Sequence, residues 1–144
     1  MKKNIWVLAL IGSGMLTLAI APSGSFAKEG HEHGSSALVE EMMVLDNVFR
    51  DVVSAVALGD GARAHKSLEA MHGTMEKTHE GVHEGTVHLR KNAGRLKEFI
   101  ELDKTFHARL ETLAQAAQKN DRSAMLSLTK ELLDRCVGCH RDFR

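Results

Sequence analysis

No residue from position 23 to the carboxyl end is proline. Nothing in that stretch forces a kink into a helix or removes a donor from its hydrogen-bond ladder. The apolar residues there recur at helical spacing. Leu38, Met42, Leu45, Phe49, Val52 and Val56 follow one another at alternating steps of four and three, the pattern of one continuous helical stripe. A first helix is therefore expected over residues 36–58. Ser36 is placed to cap its start, Glu40 and Glu41 fall in its first turns, and Gly59-Asp60-Gly61 stops it. Ala64, Leu68, Met71 and Met75 carry the spacing into a second helix over residues 62–80. The stretch 81–94, with three glycines, reads as a loop or frayed turn. Leu96, Phe99, Phe106, Leu110, Leu113 and Ala117 mark a third helix, with Asp103 its one polar interruption. After the tight connection Lys119-Asn120, either Asn120 or Asp121 caps a fourth helix. Its inner face is read as Leu126, Leu133, Cys136 and His140, with Met125, Leu128 and Leu132 beside it. Four helices joined by short connections make an all-α, up-down-up-down four-helix bundle.

The segment before this bundle has a different character. Lys2 and Lys3 precede an apolar run over residues 5–21, and Ser25-Phe26-Ala27 offers small residues at the positions a signal peptidase reads. A signal peptide over residues 1–27 is expected, with export to the periplasm, followed by a flexible leader over 28–35 that carries His31 and His33. An uncleaved anchor competes only weakly, because the apolar run is at the short end of what spans a bilayer. Past residue 27 the chain has two fewer basic than acidic residues. That balance gives no footprint for nucleic acid, which needs an excess of Lys and Arg on one face. Residues 28–144 also hold no Trp, no Tyr and only four Phe, so a core built from them needs other filling.

The chemistry concentrates in Cys136-Val137-Gly138-Cys139-His140, near the end of the fourth helix. C-x-x-C-H is the attachment pattern of a c-type haem: two thiols add to the two vinyl groups on one porphyrin edge, and the adjacent imidazole becomes an axial ligand. A thioredoxin-like dithiol would need a βαβ context that this chain lacks. A structural zinc site wants four ligands, and there are two cysteines. A disulfide closing a two-residue gap within a helix is strained and constrains little chain entropy. A porphyrin would also fill the aromatic-poor core.

Cys139-His140-Arg141-Asp142-Phe143-Arg144 extends the motif to C-x-x-C-H-x-x-Phe-Arg. With the four-helix pattern before it, the chain from about residue 36 resembles the class II c-type cytochromes, the cytochrome c-prime family. That resemblance implies one covalent haem c per chain, periplasmic maturation by the cytochrome c machinery, redox partner proteins and a possible homodimer through the first two helices. It also implies two branches: high-spin members with an open iron face that bind small gases such as NO or CO, and low-spin members with a Met from the first helix that carry electrons.

The start of the first helix and the end of the fourth share one end of such a bundle. At about 1.5 Å rise per residue, Met42 lies about 9 Å in from the start, near the depth of His140 from its own end. Met42-Met43-Val44-Leu45 reproduces the Met-x-x-Leu of the low-spin branch and of the soluble b-type four-helix cytochrome. Met42 is therefore expected as sixth ligand opposite His140, with Met43 rotated about 100° away. Met75 in the second helix is a rival, and a His-ligated or open iron, with Met42 as simple core filling, is a further alternative. Arg144, by its match to the family motif, and Arg141 are expected to neutralise the haem propionates. The reading is an electron-transfer protein rather than an enzyme.

Other histidines are weighed as background. His79-Glu80-Gly81-Val82-His83 is a literal H-E-x-x-H, but Gly81 weakens the helix a zinc protease would require. His65, His72 and His79, spaced by seven, read as a solvated flank, and His107 is placed near the core.

Overall fold

The computed structural model describes residues 36–144; the expected signal peptide and His-containing leader lie outside the described residues. The chain forms α1 (Ala37–Leu58), α2 (Gly61–Leu68), α3 (Thr74–His83), α4 (Leu96–Gln118) and α5 (Arg122–Phe143), with short 3-10 turns at Glu69–Met71 and Ala93–Arg95. α2 and α3 together stand in the place of one helix. α1 packs on α2 and α3, these pack on α4, α4 packs on α5, and α5 returns more sparingly to α1. The result is the four-helix bundle that the apolar spacing implies.

The turns far from the C-x-x-C-H end are held by specific groups. Gly59 ends α1 in the left-handed region at φ 68°, where a β-carbon is costly. Asp60 then accepts the Arg63 N–H at 3.0 Å and caps α2. Asp121 does the same for α5, accepting the Ala124 N–H at 3.0 Å. Asn120 ties the two turns together by accepting the Gly61 N–H at 3.0 Å.

Three expectations change. The second helix does not run unbroken from 62 to 80, because Gly73 adopts φ 78° and divides it. α3 then continues to His83, so H-E-x-x-H does lie on a helix rather than in a frayed turn. The buried stripes are also turned by one position. On α1 the buried residues are Glu41, Leu45, Val48, Val52 and Ala55, while Met42, Phe49 and Val56 form a half-buried flank against the core. On α5 they are Met125, Thr129, Leu132 and Phe143. Leu126, Leu133 and His140, expected inside, face out. Adjacent apolar pairs, Met125-Leu126 and Leu132-Leu133, allow either face to satisfy the spacing; packing against α4 selects Met125 and Leu132.

Candidate functional site

α5 brings Cys136, Cys139 and His140 together at the bundle end where α1 begins and α3 finishes. Both cysteines are free thiols, half-buried and three residues apart on adjacent turns. Burial pushes the Cys136 thiol up. Burial, followed by the negative charges of Asp103, Cys136 and Asp142, does the same for Cys139. The His140 imidazole is exposed, and its affinity for a proton is lowered first by burial of its inner edge and then by the Arg144 charge. An imidazole kept neutral is the form that ligates a metal.

Around Cys139 the wall is apolar. Leu89, Phe99 and Phe143 form a second buried cluster, with Leu38, Leu96, Ile100 and Cys139 packed against it. Phe99 and Phe143 meet edge to face, their centroids 5.8 Å apart. The Arg95 guanidinium lies over the Phe143 ring at 5.3 Å. The loop after α3 locks the end of α5, because the Lys91 N–H donates to the Phe143 carbonyl at 3.3 Å and the Asn92 amide donates to the Asp142 carbonyl.

Leu38 lies in that cluster, and Met42 follows it by one turn on the same flank of α1. The opposite flank carries Asp51 and Ser54, which bond Arg63 of α2. The Leu38–Met42 flank therefore turns toward α5. Met43 is 60% exposed and lies elsewhere on the helix. Met75 is half-buried on α3, which packs on α1 and α4, diagonally across from α5. Arg144 is exposed beside His140, whose carbonyl accepts its backbone N–H at 3.1 Å, and Arg141 pairs with Asp142 at 3.1 Å.

Inside the same end lies a polar group that the apolar spacing did not announce. Glu41, which had the appearance of a first-turn charge, is buried and accepts from His107 Nε2 at 2.6 Å. His79 is no solvated residue: its Nε2 bonds the buried Asp103 carboxylate at 3.0 Å. Asp103 and His107, one turn apart on α4, gave the only local signal of this arrangement.

These residues fit a covalent porphyrin. Two reduced thiols sit on adjacent turns, a neutral imidazole follows the second, aliphatic and phenyl groups line one side, and the α1–α5 seam is sparsely packed. A four-helix bundle ending in this thiol–imidazole constellation defines a c-type haem protein class. A family model described as Cytochrome C' matches residues 40–144, and the chain belongs to that family. Its members are generally non-enzymatic haem proteins, typically periplasmic, and membership implies covalent haem c. No curated protein and no solved structure matches the chain significantly.

Proposed function

We propose that the protein is a periplasmic one-electron carrier, with haem attached through Cys136 and Cys139 and ligated by His140 and Met42. The observation that carries this reading is the flank of Met42: it turns to α5, one turn from Leu38, which shares a cluster with Cys139 and Phe143. Met75, diagonal to α5, has no comparable support. Haem held between an imidazole and a thioether supplies a one-electron couple that changes little in geometry between its two oxidation states.

The chain's own residues do the rest. α1 and α5 are each 22 residues long, and they carry Met42 on a half-buried flank and His140 on an exposed face at the same end of the bundle. The thioether of Met42 is a soft donor that favours the reduced state and raises the potential. Leu89, Phe99 and Phe143 keep water from one side. The exposed Arg144 and Arg141 supply positive charge for the propionates. Partner proteins of the periplasm would deliver and accept the electron, after attachment by the cytochrome c maturation machinery.

The test is the near-infrared absorption of the oxidised holoprotein, where a thioether-to-iron charge-transfer band is expected. Met42→Ala should remove that band, give a high-spin spectrum and open the reduced protein to CO, whereas Met43→Ala should change neither. An unchanged spectrum in Met42→Ala refutes the ligand assignment. Rapid CO binding by the unmodified protein would instead favour the gas-binding branch.

A further inference from the structure

Glu41 immediately precedes Met42 but is turned about 100° from it, into the bundle, with 1% of its surface exposed. Its Oε1 is bonded by His107 Nε2 at 2.6 Å and lies 3.4 Å from Thr74 Oγ1, whose hydroxyl also reaches the Met71 carbonyl at 2.9 Å. Its Oε2 is fully buried and has no partner among the described residues. A buried carboxylate oxygen left unpaired costs far more than a paired one. Asp103 is buried beside it, and ligand atoms of Glu41, Asp103 and His107 all lie within 4.8 Å of one another. Thr78 Oγ1 is likewise buried with no partner among the described residues, one turn along α3 from Thr74, whose Oγ1 lies 3.4 Å from Glu41.

We propose that Glu41, Asp103 and His107 form an interior site for a divalent transition-metal ion, distinct from the haem. A ligating imidazole is neutral, so in the loaded site the two carboxylates bring two negative charges, which one divalent cation cancels. One nitrogen and two carboxylate oxygens suit zinc or iron(II) better than calcium or magnesium, which prefer oxygen alone. Ligands about 2.0–2.2 Å from one zinc ion stand closer together than the widest present separation of 4.8 Å, so binding draws the three groups inward. His79 is a positioning residue, since it orients the Asp103 carboxylate from outside as outer partners do at metal sites. Three protein ligands leave a coordination position for water.

The test uses holoprotein, stripped with chelator and then dialysed against zinc(II), with bound zinc counted per chain separately from haem iron. The unmodified protein should retain one zinc that Glu41→Gln and Asp103→Asn each bind at least tenfold more weakly. His72→Ala, altering an exposed imidazole, should bind like the unmodified protein. X-ray absorption at the zinc edge of the unmodified protein, which needs no variant, should show a nitrogen and oxygen shell at about 2.0–2.1 Å. Equal zinc binding by the unmodified protein and both carboxamide variants overturns the proposal, as does a shell of sulfur or of imidazoles alone. Because zinc and haem iron are counted apart, loss of the haem reading and loss of this site are separate results.

Discussion

Leu132→Ala and Leu126→Ala make the same chemical deletion on the same helix, and the structure assigns them different costs. Leu132 is 0% exposed and lies in the main core cluster between α1, α2, α4 and α5. Leu126 is 48% exposed, and its ten-residue separation from Cys136 puts about 15 Å of helix between it and the haem-attachment site. A fully buried Leu→Ala change loses the transfer free energy of the removed carbons and leaves a cavity, about 3 kcal/mol here and within the usual range of 2–5. A leucine already half in water loses about 1 kcal/mol or less and leaves no cavity. The difference of about 2 kcal/mol corresponds to roughly a thirtyfold change in the folding equilibrium. Guanidinium titration of the holoproteins, followed by helical circular dichroism, reads it as a lower midpoint for Leu132→Ala at unchanged slope. Equal losses, or a larger loss for Leu126→Ala, would refute the placement of the α5 core face.

Gly61→Ala should destabilise strongly, because its new β-carbon would stand 2.3 Å from the Ala117 carbonyl oxygen and 2.7 Å from Asn120 Oδ1; Gly94→Ala, with open space around it, should cost little, and thermal melts compare the two. Burial, and then the charge of Glu41 on α1, push Asp103 up to about 6 against the opposing pull of His107 on its own helix and His79 on α3. An unfolded aspartate titrates near 4, so the folded chain binds the proton more tightly between those values. The stability this confers is complete below about pH 4 and is lost as pH rises through about 6. In metal-stripped protein, Asp103→Asn should flatten that decline in urea midpoints, and an unchanged slope would contradict it.

The haem-attachment end was legible because its chemistry is written in consecutive residues: C-x-x-C-H-x-x-Phe-Arg needs no fold to be recognised. The end of α1 and the start of α5 were legible as well, since Gly59 and Asp121 act through local backbone geometry, whereas Ser36 at the start of α1 makes no side-chain cap. The break at Gly73 was hidden because Leu68, Met71 and Met75 keep helical spacing across it; only the φ of 78° shows that the helix stops. The core face of α5 was ambiguous wherever two apolar residues adjoin. The Glu41–His107 and His79–Asp103 pairs were beyond sequence reasoning, since they join residues 66 and 24 positions apart, drawn from three helices. Buried charge looks like surface charge until the helices that cover it are in place.

Covalent haem attachment can be read by mass spectrometry of protease fragments of the protein from its native host. The fragment holding Cys136 and Cys139 should carry the added mass of one haem, bonded to both sulfurs. A fragment of unmodified mass, with free thiols or with the two sulfurs bridged to each other, would contradict it.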